Sequence, residues 1–154
     1  MIRNSFTHLI TNKSLKVKVS YCCAQETPRR WKDHMADILV VDDDDVIRDT
    51  LCELLSQEHV CQTAETAEEA LARLEARPFD VVLTDISMPG LNGMELLDRV
   101  LQLYPRTAVI MISGLSDEEQ AQNLIARGAF DYLLKPFRLE VVEESVKRAL
   151  VLKN

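Results

Sequence analysis

From Asp37 onward the chain repeats one pattern five times: a short apolar run, a loop, and a segment whose apolar residues recur every three or four positions. Ile38-Leu39-Val40-Val41 is unbroken and mostly β-branched, as a strand buried on both faces requires. Asp44 or Asp45 can cap the next segment, a helix burying Ile47, Leu51, Leu54 and Leu55. Val60 to Thr63 reads as a weaker second strand, and Thr66 with Glu69 forms a capping box for a helix over Ala70, Leu71 and Leu74 that stops before Pro78. The third strand is Phe79 to Thr84, followed by a turn cluster over 88–93 and a helix from Met94 to Leu103. Ala108 to Ile112 is the fourth strand, and Ser116 with Glu119 makes another capping box for a helix that Gly128 ends after Arg127. Phe130 to Leu134 and a last helix, Leu139 to Leu152, complete the series. Five such units joined by short loops specify an α/β domain: a five-stranded parallel sheet, doubly wound, with helices on both faces.

In a sheet of this kind ligands gather beyond the carboxyl ends of the strands, so the residues at each strand end decide the chemistry. The first strand leads into Asp42-Asp43, the third into Asp85, the fourth into Ser113 and the fifth into Lys135-Pro136. Each has a plain reading when taken singly. The acidic run 42–45 suits a helix N-terminus, Asp85 suits an Asx turn, Ser113 next to Gly114 suits a turn, and Lys135-Pro136 suits a strand stop. Four such coincidences at successive strand ends favour a joint role.

The strings Leu-Val-Val-Asp-Asp (39–43), Leu-Thr-Asp-Ile-Ser-Met-Pro-Gly-Leu-Asn-Gly (83–93), Met-Ile-Ser-Gly (111–114) and Gly-Ala-Phe-Asp-Tyr-Leu-Leu-Lys-Pro-Phe (128–137) resemble the receiver (CheY-like) domain of two-component response regulators over residues 36–152. The resemblance implies a flavodoxin-like (βα)5 sandwich with strand order 2-1-3-4-5. It implies that Asp85 accepts a phosphoryl group from a histidine kinase or a histidine phosphotransfer protein. It assigns Mg²⁺ to Asp43, Asp85 and the backbone carbonyl of Ser87, with Asp42 acting through water. Ser113 and Lys135 would contact the phosphoryl group, the Lys135-Pro136 bond would be cis, and Ser113 with Tyr132 would carry the switch to the surface of the fourth helix, fifth strand and fifth helix. Where many relatives have Thr, Ser113 keeps the hydroxyl and lacks the packing methyl.

The residues agree with those roles chemically. Three neighbouring carboxylates raise one another's pKa, and a small, hard divalent cation resolves the conflict. A carboxylate is a competent nucleophile toward phosphorus, and an amine neutralises transferring charge. One rival is a phosphatase of the haloacid-dehalogenase type, whose Asp-x-Asp pattern needs an acid/base residue where this chain has Ser87. A second is an interaction module that has lost phosphorylation; Tyr132 would then be plain core.

Charge narrows the partners. Residues 1–34 carry seven Lys/Arg against two acids, a net of +5, whereas residues 35–154 carry eleven basic and twenty-three acidic side chains, a net of −12. So acidic a body disfavours nucleic-acid binding by this domain. Cys22, Cys23, Cys52 and Cys61 lack metal-ligand spacing and read as free thiols of a cytoplasmic protein, the last two as small buried hydrophobes. No apolar run approaches the roughly 20 residues of a membrane helix. Residues 1–34 read as an extension before Met35, either flexible or a non-native leader, and 35–154 as the receiver domain. Since the last helix runs almost to Asn154, output is expected from a partner protein or another part of a longer chain, and phosphorylation-dependent homodimerisation is compatible with the fold.

Overall fold

The computed structural model describes residues 35–114 and 118–153. The expected extension 1–34, and the cap at Ser116, lie outside the described residues. Strands and helices alternate as β1 Asp37–Val41, α1 Asp45–Leu55, β2 Val60–Ala64, α2 Ala67–Ala76, β3 Val81–Asp85, α3 Gly93–Leu103, β4 Ala108–Ser113, α4 Glu118–Arg127, β5 Asp131–Leu134 and α5 Leu139–Lys153. The five strands form one sheet in the order β2-β1-β3-β4-β5, every pairing parallel.

Because successive strand residues face opposite sides, the sheet builds two cores. Leu39, Val41, Val82, Val109 and Met111 meet Ala70, Leu74, Leu97, Val100 and Leu124 of α2, α3 and α4. Ile38, Val40, Leu83, Ile110 and Ile112 meet Leu51, Leu55, Val142 and Val146 of α1 and α5. Nearly all are 0–3% exposed, and burying one such side chain contributes about 1.5–3 kcal/mol, so the strands that carry the site sit in the most stable part of the fold.

Element edges shift where side chains compete with the apolar pattern. β3 begins at Val81 rather than Phe79. Asp80 uses its carboxylate to accept from the Asp37 amide at 2.8 Å, and the Phe79 carbonyl is taken by the Thr107 hydroxyl at 2.7 Å. Phe79 is buried nonetheless, with the Arg77 guanidinium 5.4 Å from its ring centre. α3 begins one residue early, at Gly93, because Asn92 and Glu95 exchange side-chain and backbone hydrogen bonds as a capping box. Leu54, expected in the core, is half-buried, and so are Cys52 and Cys61. Gly128 ends α4 with φ 110°, a left-handed conformation that a side chain would resist.

Candidate functional site

The site is a consequence of the strand register. β1 and β3 are neighbours with Val41 opposite Thr84, so the next residues, Asp42 and Asp85, emerge side by side. Both are buried, at 1% and 5% exposure, while Asp43 is exposed. Asp42 turns one carboxylate oxygen back to its own loop, accepting from the Asp44 amide at 2.9 Å. Asp44 in turn caps α1, accepting from the amides of Val46 and Ile47. Arg48, one turn into α1, donates to the Asp42 carbonyl at 2.8 Å and so anchors the loop from the helix side.

Lys135 stands just past β5 and is joined to Pro136 by a cis bond. Its Nζ lies 3.0 Å from Asp42 Oδ2 and 3.0 Å from Asp85 Oδ1. One oxygen from each of Asp42, Asp43 and Asp85 falls within 4.8 Å of the others. Residues as far apart as 42 and 135 therefore meet at one rim of the sheet. Burial pushes the Asp85 carboxyl above its ordinary pKa; Lys135 opposes this, and the charges of Asp42 and Asp43 reinforce it. Burial also disfavours the Lys135 ammonium, but its bonds to Asp42 and Asp85 outweigh that cost and hold its pKa above the usual value. Three carboxylates against one ammonium leave a net negative charge in a partly desolvated site. An all-oxygen donor set of this charge fits a small hard divalent cation such as Mg²⁺, with Asp42, Asp43 and Asp85 as the side chains that would hold it.

The remaining expected residues are placed around this cluster. Ser113 is the last residue of β4 and 2% exposed, one step beyond Ile112, which pairs with Asp85. Its carbonyl accepts from the Lys135 amide at 2.7 Å, which binds the two strand ends together. Ser87 is exposed in the loop after β3. Tyr132, half-buried in β5 opposite Met111, packs on the α2/α3/α4 side of the sheet.

Two supporting contacts carry no clear mark in the sequence. Arg48 had no signal beyond its helical position. Gly93 donates its amide to the Ile86 carbonyl at 2.9 Å, directly beneath the Asp85 backbone; the Asn92-to-Glu95 spacing could have marked the helix start that puts it there.

Comparison with known proteins places the chain in a family. The family described as response regulator receiver domain matches residues 38–147. The transcriptional regulator NtrC of Salmonella typhimurium is 40% identical over 114 residues, covering 73% of this chain and 24% of that protein. The nitrogen assimilation regulatory protein NtrX of Azorhizobium caulinodans is 39% identical over 117 residues, covering 74% and 26%. The chain thus spans about a quarter of the length of these relatives. Among solved structures, the receiver domain of NtrX from Brucella abortus superposes with a TM-score of 0.72 at 41% identity, covering 75% of this chain and 99% of that one. The chemotaxis response regulator CheY4 of Vibrio cholerae gives 0.71 at 32% identity, covering 75% and 99%. Among the described residues no helix is long and apolar enough to cross a membrane.

Proposed function

The chain belongs to the response regulator receiver domain family, and from that premise we propose that Asp85 is its phosphoacceptor, receiving a phosphoryl group from the phosphohistidine of a histidine kinase or histidine phosphotransfer protein. The observation that carries this is the shared contact of Lys135 with Asp42 and Asp85, 3.0 Å to each, beside Asp43.

An Asp85 carboxylate oxygen attacks phosphorus as the phosphorus–nitrogen bond breaks, and the imidazole leaves with the bonding pair and takes up a proton. Mg²⁺ held by Asp43, Asp85 and the Ser87 carbonyl, with Asp42 acting through water, would supply charge neutralisation for the transferring group. Lys135 exchanges its contact with the Asp85 carboxylate for one with a phosphoryl oxygen, and Ser113 donates its hydroxyl to another. The new charge then draws Ser113 inward, Tyr132 follows, and the α4-β5-α5 surface changes shape for an output partner or a second copy.

On this reading residues 35–154 are a signalling domain of the cytoplasm, residues 1–34 are an extension outside it, and output belongs to another domain or protein. NtrC of Salmonella typhimurium is named a DNA-binding transcriptional regulator, which suits an output of that kind. The phosphatase alternative finds no support, since Ser87 offers no carboxylate two residues after Asp85.

The test is incubation with a small phosphodonor such as acetyl phosphate, with and without Mg²⁺. One phosphoryl group should appear on the peptide containing Asp85, only with Mg²⁺, and not in Asp85→Asn. Sustained release of phosphate from simple esters, dependent on Asp85, would favour the enzyme instead.

A further inference from the structure

The loop that leaves β3 is braced by a residue outside the acidic pocket. Ile86 and Met88 are buried in the core beneath α2 and α3, and Ser87 between them is exposed. Gly90 then takes φ 77°, and the Leu91 amide after it donates to Glu68 Oε1 at 3.0 Å. A Cβ on Gly90 would stand 3.0 Å from that same oxygen, so the carboxylate lies against backbone that a side chain would crowd.

Glu68 is itself firmly carried. It sits in the first turn of α2, whose Thr66 cap accepts from the Glu69 amide at 3.1 Å. Ala67 and Ala70, to either side of it, are fully buried in the cluster that holds Met88, with Leu91 packed against it. An acid at a helix N-terminus needs no partner to be favourable, because the helix dipole alone attracts it. Here it has one. The Leu91 amide and then its own amide hold the Glu68 carboxyl below the ordinary carboxylate range, with Arg99 assisting.

We infer that Glu68 is a positioning residue for the metal site: by gripping the Leu91 amide it fixes the span 86–91, and with it the Ser87 carbonyl. The inference rests on the assignment of that carbonyl to Mg²⁺ under the proposed function. Ile86 ties one end of the span, donating to the Ile112 carbonyl and accepting from the Gly93 amide, both at 2.9 Å. Glu68 ties the other end. With both ends held, the carbonyl between them keeps its direction before the ion arrives, so binding does not have to order the loop. Such coupling is reciprocal: whatever the brace adds to Mg²⁺ affinity, the bound ion adds to the brace.

The test compares Glu68→Ala with Glu68→Gln in the full chain. Glutamine keeps an acceptor oxygen at the same reach and loses the charge; alanine loses both. Mg²⁺ affinity is read by titration of the backbone amide spectrum. Glu68→Ala should weaken binding about fivefold, the low end for coupled sites, while Glu68→Gln stays within about twofold of the unaltered chain. Without Mg²⁺, the amide resonances of 87–91 should move in Glu68→Ala and hold their positions in Glu68→Gln. Denaturation midpoints close to that of the unaltered chain separate this effect from a loss of folding. Equal affinity in the unaltered chain and Glu68→Ala would overturn the inference and leave the phosphoacceptor reading standing. An equal loss in both variants would also overturn it, since charge and not the hydrogen bond would then be at work. Failure of the unaltered chain to bind Mg²⁺ would instead remove the reading itself, and the inference with it.

Discussion

Gly93 lies so close to Asp85 that a Cβ added to it would stand 2.1 Å from the Asp85 carbonyl oxygen and 2.8 Å from Ile86 Cα. Both obstacles are backbone at the end of β3 and cannot swing aside as a side-chain tip would. Gly93→Ala should therefore displace either the first turn of α3 or the strand end that presents Asp85. Overpacking of this kind costs about 1–3 kcal/mol, and two backbone contacts put this case at the upper end. Chemical denaturation should show that loss, and acetyl phosphate labelling of Asp85 should fall with it. A Gly93→Ala protein of unchanged midpoint and unchanged labelling would mean that the loop accommodates a methyl group.

That contact also marks what the sequence could and could not say. The strands were legible because burial on both faces demands apolar runs such as Val81 to Leu83, and few other structures tolerate them. The strand-end residues were legible because parallel topology sends Asp42, Asp85 and Lys135 to one edge whatever the loops do. Arg48 and Gly93 were not, since each acts through a single backbone contact that depends on the loop path. Phe79 was misplaced for a related reason: its apolar character signalled burial, but its carbonyl accepts from the Thr107 hydroxyl rather than from a neighbouring strand.

Metal dependence should be readable without any phosphodonor. With Mg²⁺ at ten times its dissociation constant, binding to the folded state alone adds about 1.4 kcal/mol to stability. Thermal unfolding should shift upward accordingly, chelator should reverse the shift, and Asp85→Asn should nearly abolish it by removing a ligand charge. An equal shift in the variant would place the ion elsewhere.

Lys135 tests the electrostatics from the other side. Its side chain is 22% exposed, while that of its partner Asp42 is 1% exposed. Lys135→Met leaves two largely buried carboxylates without their cation, a loss of about 3 kcal/mol for a buried pair broken on one side. Mg²⁺ should restore more stability to this variant than it adds to the unaltered chain, because it then replaces the positive charge those carboxylates have lost. Comparing the two Mg²⁺ increments by denaturation decides the matter; equal increments would show that Lys135 and the ion answer to different carboxylates.

His59 supplies a pH dependence separate from the site. It lies just past α1, donates its amide to the Leu55 carbonyl at 3.0 Å, and its buried Nδ1 has no hydrogen-bond partner among the described residues. Burial lowers its pKa below the ordinary 6.5; Glu58 opposes, Lys147 assists and Asp80 opposes. Glu143 also lines the crevice that holds the ring. As pH falls through about 6.5, the unfolded chain takes up a proton that the folded chain resists, so this contribution to stability is complete above that pH and is lost below it. Asp85, with its pKa raised, acts with the opposite sign, since the folded chain protonates it more readily. The two are separated by His59→Gln, which leaves Asp85 untouched. Denaturation midpoints of the unaltered chain should fall relative to those of His59→Gln between about pH 6.5 and 5, with no such divergence above pH 7. Parallel profiles would show that the imidazole titrates alike in the folded and unfolded chains.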